Sequence, residues 1–234
     1  MQRDIPLQGA RNVRDLGGLY SRTGRTLRTH RFVRADSLEA LHAIDVIHLL
    51  DYGVRMDIDL RGQRERRQWG DALSRVAEIQ YAPISLLEGL DQHLEAVPAS
   101  LGTLYIDVLR YCRTSFLAIF RQMLAQPEGC VLFHCSAGKD RTGMVAALLL
   151  NLAGVPDEDI IADYAQSATN LHQAFEQISE QNAPALRHLL GAEPEHMAML
   201  LDHLRRHYDG AVGYLTLIGL APAEITTLRA SMFD

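Results

Sequence analysis

Three cysteines, one tryptophan and no long apolar run are what this 234-residue chain is shortest of, and each shortage closes off a class. Cys112, Cys130 and Cys135 make an odd, low count that does not read as a disulfide framework and fits a reducing compartment. The longest aliphatic stretch, MVAALLLNLAGV at 144–155, is interrupted by Asn151 and is too short to span a bilayer, so no stable membrane insertion is expected. A basic excess is missing too: 23 Lys and Arg stand against 29 Asp and Glu, a formal net charge of -6. That balance argues against a general nucleic-acid binder. The first 18 residues, MQRDIPLQGARNVRDLGG, are polar and carry no apolar h-region. The expectation is a cytoplasmic protein, with export by a signal-less route left open. Internal repeats and low-complexity tracts are missing as well.

What is present is a core. Hydrophobic residues make up 47% and charged residues 22%, which suits one packed domain over 1–234. HRFVRAD (30–36), VRMDIDL (54–60), IQYAPI (79–84) and CVLFH (130–134) read as strands, the last fully buried. Helical patterns lie between them: LEALHAIDVIHLL, capped by Asp36 or Ser37, then 99–125, then RTGMVAALLLNLAG closed by Gly154, then a helix opened by Pro156, and a terminal one in APAEITTLRASMF. Strand–helix alternation predicts an α/β fold, a central mainly parallel sheet flanked by helices. Residues 168–208, with broken apolar stripes at Leu171/Phe175/Ile178 and Met197/Leu200/Leu201/Leu204, read as a helical insertion or lid.

The loop HCSAGKDRTG, 134–143, follows the buried strand and opens a helix. Ligands in such sheets bind beyond the carboxyl ends of strands. Successive backbone N–H groups and the helix N-terminus make an anion cradle there. Cys135 opens it and Arg141 closes it. Cations and a helix N-terminus lower a cysteine pKa from about 8.5 into roughly 3.5–7.5, and the guanidinium fork matches phosphate oxygens. Gly138 permits the tight path, and Thr142 can donate a hydroxyl toward the sulfur. The chemistry indicated is phosphoryl transfer to cysteine followed by hydrolysis. C-x5-R alone is a weak pattern; the full string in its strand–loop–helix setting is a strong one, against the plainer reading of a core thiol beside a solvated loop. A nucleotide-binding Walker loop fails, because Phe133 and Asp140 hold the places of its first Gly and its Ser/Thr.

The string resembles the signature of the cysteine-based protein tyrosine phosphatase superfamily. Its Lys-Asp pair before the Arg is similar to the atypical bacterial branch of tyrosine/serine phosphatases, the protein tyrosine phosphatase B type. NVRDLGG, FVRAD, VRMDIDLRGQRER, IIADYAQS and YLTLIGLAPAEITTLRASMF agree in order along nearly the whole chain. The resemblance implies a phosphatase that needs no cofactor or metal and acts on phosphorylated proteins or phosphoinositides. It implies Cys135 as nucleophile, Arg141 as clamp, and the amides of Ser136, Ala137, Gly138, Lys139 and Asp140 as phosphate cradle. Lys139 would add positive charge at the rim, which in this branch goes with phosphoinositide head groups.

The leaving oxygen needs a proton. No Trp-Pro-Asp triplet is present. Asp140 is the first candidate donor, then Asp59, then Asp71. Asp59 with Arg61 reads equally as a strand-end ion pair. Asn12, Arg14 and Asp15 are expected to hold the N-terminal segment against the loop, and His134 to shape it by hydrogen bonding. Cys130 reads as core, with a redox partnership to Cys135 as the alternative. RGQRERR (61–67) reads as a solvated helix face. HLRRH (203–207) lacks the glutamate of a zinc-protease helix, so no metal site is expected from the ten histidines. The rival to the enzyme reading is a catalytically weak phospho-ligand binding module of the same fold. A third option is sulfur or arsenic redox chemistry at Cys135.

Overall fold

The computed structural model describes residues 3–93, 98–172 and 191–234. Five strands form one sheet in the order β1-β2-β5-β3-β4: β1 Arg14–Asp15, β2 Phe32–Ala35, β3 Val54–Asp59, β4 Gln80–Pro83 and β5 Cys130–His134. Only the β1–β2 pair is antiparallel; β2–β5, β5–β3 and β3–β4 are parallel. The fold is therefore α/β with a mainly parallel sheet. All five residues of the central strand β5 are buried, the expected result of covering both faces of a parallel sheet.

The period of two along each strand sorts the core. Val131 and Phe133 join one apolar cluster with Phe32, Met56 and Ile58, while Cys130 and Leu132 join the other with Val33 and Ala35. The first and larger cluster is covered by helices α3 Leu101–Tyr111, α4 Arg113–Ala125, α5 Asp140–Ala153, α6 Asp157–Asn170, α7 Pro194–Tyr208, α8 Gly210–Leu217 and α9 Pro222–Ala230. The second lies under α1 Ala43–Asp51 and the N-terminal segment. A short helix, α2 Gln63–Trp69, follows β3.

Three departures from the sequence reading have physical causes. Helix α1 starts at Ala43, well after Asp36. The Asp36 carboxylate is already used, accepting from the amides of Arg11 and Asn12, and Asp45 caps the helix instead, accepting from the His42 amide at 2.9 Å. The 99–125 pattern is two helices meeting at Cys112. Within the expected 168–208 insertion, α7 is a core helix with Met197, Leu200, Leu201 and Leu204 buried; residues 173–190 lie outside those described. Among the described residues, no helix is long and apolar enough to cross a membrane.

Candidate active site

Strand β5 ends at His134 and helix α5 begins at Asp140, so the loop between them sits at the carboxyl edge of the central strand. Its shape is fixed from below. Gly138 has φ +64, and a Cβ there would lie 2.4 Å from the Ala35 carbonyl oxygen, so only glycine fits this close approach. The Asn12 amide donates to the carbonyls of Ala137 (3.0 Å) and Gly138 (3.2 Å), and Arg34 donates to Gly138 at 2.7 Å. With these carbonyls turned back into the protein, the amides of Ser136, Ala137 and Gly138 meet no acceptor among the described residues. They form a cradle for an anion at the helix N-terminus.

Asn12 and Arg34 are themselves held by a buried ion cluster. Asp163 on α6 pairs with Arg34 Nη1 at 2.5 Å, with Arg14 Nε at 3.1 Å and with Arg3 Nη2 at 2.5 Å. Arg14 also donates to Asn12 Oδ1. Burial alone would raise the Asp163 pKa, but the three guanidiniums outweigh it and hold the carboxyl well below its usual range. Of the three residues expected to fasten the N-terminal segment to the loop, Asn12 makes the contact and Arg14 supports it, while the Asp15 carboxylate accepts from the Gly17 and His30 amides and the Tyr52 hydroxyl instead.

Cys135 is 2% exposed. Burial would push its thiol up, yet the Arg141 guanidinium and then Thr142 pull it below the ordinary value. The buried Thr142 hydroxyl satisfies no geometrically strict hydrogen bond, and the sulfur is the neighbour its dipole acts on. Cys130 belongs to the second core cluster, with its thiol pushed up by burial.

Arg141 is oriented by a residue that the sequence did not single out. Its Nη1 and Nη2 donate to Glu65 Oε2 and Oε1 at 2.6 and 2.8 Å, a bidentate fork. Ser136 donates to the same carboxylate at 2.6 Å. Burial would raise the Glu65 pKa, but Arg141 and Ser136 bring it down to about 2. Glu65 sits on α2, inside the stretch that read as a solvated basic face; its neighbours Arg64, Arg66 and Arg67 hid it.

Lys139 was expected at the rim. It is instead 2% exposed, with its ammonium donating to the Gly191 carbonyl and lying 3.4 Å from Asp140 Oδ1. The Gly191 carbonyl is thus one of the groups that meet this ammonium inside the protein. The Asp140 side chain keeps 32% of its surface, and Tyr105 donates to its Oδ1. Asp59 stands differently. It is fully buried, and its oxygens accept from Arg61 Nε (2.9 Å), Arg61 Nη2 (2.8 Å) and the Tyr81 hydroxyl (2.8 Å). Burial works against its charge, yet Arg61 and His134 hold its pKa below normal. Asp59 is the strand-end ion pair, beneath the loop rather than at its mouth.

His134 Nδ1 donates toward the Cys135 carbonyl at 3.2 Å, and Nε2 lies 3.0 Å from Asp71 Oδ2, an ion-pair distance without good alignment. Burial would lower the His134 pKa, but Asp57, Asp71 and Asp59 outweigh it and raise it to about 9. Asp57, Asp71 and His134 each offer a donor atom within 4.8 Å of the others, a set that could by type take a metal cation. Burial raises the Asp57 pKa well above its usual value and the neighbouring His134 works against that rise, so the two groups titrate together, while Arg61 pairs with Asp59 beside them.

A cavity of about 440 Å³ adjoins the loop, with Ser136 and Ala137 on one wall and Arg11, Asp36, Glu39 and His42 on the other. A cradle, a depressed thiol and a clamped arginine at one strand end agree with the sequence comparison. The model of the tyrosine phosphatase family matches residues 5–234. The chain belongs to that family. A tyrosine-protein phosphatase of Nostoc commune is 38% identical over 216 residues, covering 86% of this chain and 74% of that protein. The triple specificity protein phosphatase PtpB of Mycobacterium tuberculosis is 33% identical over 116 residues, 42% of each chain. The crystal structure of TpbA from P. aeruginosa aligns over 89% of both chains at 18% identity with a TM-score of 0.39. As a member of the tyrosine phosphatase family, the chain has phosphorylated molecules as its substrate class.

Proposed function

We propose that this phosphatase hydrolyses phosphomonoesters through a phosphocysteine intermediate. The observation that carries the reading is the buried Cys135 thiol, lowered by Arg141, in a loop whose 136–138 amides meet no acceptor among the described residues. The phosphate dianion takes the cradle of 136–140, and Arg141 binds its oxygens with the guanidinium N–H groups that Glu65 leaves over. Cys135 Sγ attacks phosphorus; the S–P bond forms as the P–O bond breaks, and Asp140 gives its proton to the departing oxygen. Water then attacks phosphorus and yields a proton to Asp140. The S–P bond breaks, and the thiolate leaves with help from Thr142 and Arg141. Asp140 is preferred over Asp59 as donor because it keeps an open face, whereas Asp59 is committed to Arg61 and Tyr81.

Phosphotyrosine is the first-ranked substrate, with the cavity beside Ser136 and Ala137 receiving chain next to the phosphoresidue. Phosphoserine, phosphothreonine and phosphoinositides are the wider range, which the name of the mycobacterial relative supports. Phosphoinositide turnover calls on Lys139, whose ammonium must exchange Gly191 for a second phosphate. Para-nitrophenyl phosphate turnover in EDTA, its loss in Cys135→Ser and its inhibition by vanadate test the reaction; full activity of Cys135→Ser sinks it. A panel of phosphopeptides and phosphoinositides, run on wild type and Lys139→Ala, ranks the substrates, with the phosphoinositides expected to lose most.

A further inference from the structure

Two buried tyrosines from different helices converge on the carboxylate just assigned as proton donor. Tyr105 on α3 donates its hydroxyl to Asp140 Oδ1. The Tyr164 hydroxyl on α6 lies 2.8 Å from that of Tyr105, with the rings edge to face at 6.1 Å. Tyr105 has one hydroxyl proton, and Asp140 receives it. The bond between the tyrosines must then run from Tyr164 to Tyr105, which gives a polarised chain, Tyr164 to Tyr105 to Asp140. Both tyrosines are buried, so water does not compete for these bonds.

The chain selects one oxygen of the carboxylate. Tyr105 and the Lys139 ammonium, 3.4 Å away, both address Oδ1. Oδ2 is left as the oxygen that carries a transferable proton. We propose that Tyr105, seconded by Tyr164, is the positioning residue of the general acid: it fixes which oxygen of Asp140 bears the proton and stabilises the carboxylate that forms as the proton leaves. The proposal rests on Asp140 as the donor. Tyr105 is not itself a proton source, because burial and the facing carboxylate push its phenol far above the ordinary range.

The groups that face Asp140 set the sign of the test. Lys139 and Arg141 stand on either side of it, and the Cys135 sulfur is a third charged neighbour. Tyr105 from α3 donates to it directly, while Tyr164 from α6 acts through Tyr105, with Glu193 near Tyr164. Among these, Tyr105 is the neutral group that donates directly to the carboxylate, so its hydroxyl stabilises the anion that forms as the proton leaves. Its removal withdraws that stabilisation.

The experiment is a set of kcat/KM–pH profiles, which end at departure of the leaving group and so exclude the later hydrolysis in which Asp140 also acts, for wild type, Asp140→Asn, Tyr105→Phe and Tyr164→Phe, each on phenyl phosphate and on 2,4-dinitrophenyl phosphate. The first leaving group needs a proton and the second does not. With phenyl phosphate, wild type should lose rate on the basic side. Asp140→Asn should lose that limb and fall on the order of 10²–10⁴-fold in rate. Tyr105→Phe should keep the limb, displaced toward higher pH as the hydrogen bond to the carboxylate is lost, and turn over more slowly at its optimum. Tyr164→Phe should shift the same way by less. With dinitrophenyl phosphate, both Phe variants should lose far less of kcat/KM than they lose with phenyl phosphate. A limb that survives in Asp140→Asn overturns Asp140 as donor and the role of Tyr105 with it. A limb lost in Asp140→Asn but unmoved in both Phe variants overturns the tyrosine proposal alone. Should Tyr105→Phe fail to fold, Tyr164→Phe keeps Tyr105 in place and decides the question by the direction of its shift.

Discussion

Two arginine–carboxylate groups flank the phosphate loop, and they are built for different ends. Behind the loop, Asp163 meets Arg14 and Arg34 with all three side chains at most 1% exposed. In front of it, Glu65 grips Arg141 with 28% and 14% exposure. The rear group carries three guanidiniums on one carboxylate and fixes backbone carbonyls. The front group is a one-to-one fork and aims a single side chain. Burial makes the first a matter of folding, because a lone buried charge is costly. Partial exposure makes the second a matter of aim, because water shares the charge and only direction is at stake.

Removing the rear carboxylate should break this contrast most. Asp163→Asn leaves Arg14 and Arg34 buried without their anion and should cost about 3–5 kcal/mol of stability in urea melts. Glu65→Gln should cost on the order of 10²-fold in kcat/KM through a misplaced Arg141, with stability within about 1 kcal/mol of wild type. If both variants lose stability alike, the division between folding and aim is wrong.

The pH dependence of stability sharpens the same contrast. Asp163 has a lowered folded pKa, so its contribution is present above about pH 3.9 and is lost as pH falls. Glu65, at about 2 in the folded state, acts in the same direction. Acid titrations should therefore flatten below about pH 4 in Asp163→Asn. His134 runs the other way. Its folded pKa is raised to about 9, so its contribution is complete below about pH 6.5 and fades as pH rises through 9. His134→Gln should remove that alkaline decline, as followed by thermal melts. The smallest effect belongs to a surface pair: Arg205→Ala, on a side chain 63% exposed beside Asp157 and Asp202, should stay within about 0.5 kcal/mol.

What could be read from the chain followed from local rules. An unbroken apolar CVLFH marks a strand covered on both faces, and Cys, Gly and Arg at fixed offsets mark an anion loop. Contacts across the chain were illegible for the same reason. Glu65 looks like any glutamate in a basic helix until folding brings Arg141 to it. Tyr105 belongs to an apolar helical stripe, and only the tertiary structure turns its hydroxyl onto Asp140. Asp59 stays second to Asp140 among the proton donors on sequence alone, because sequence does not record exposure. Lys139 read as a rim charge because nothing in its neighbours announced the backbone of residue 191, some fifty positions later.

Helix α5 has eleven of its 14 residues buried, from Thr142 to Ala153, and its first turn is the floor of the phosphate loop. The reactive loop thus has no softness of its own to spend. The amides of the helix behind it should exchange only through openings that expose the core, at protection close to that of global unfolding, while the unbonded amides of 136–138 stay open to exchange until an anion takes them. A thermal inactivation curve for this protein then doubles as its unfolding curve, and a variant that loses one without the other has been altered at the chemistry alone.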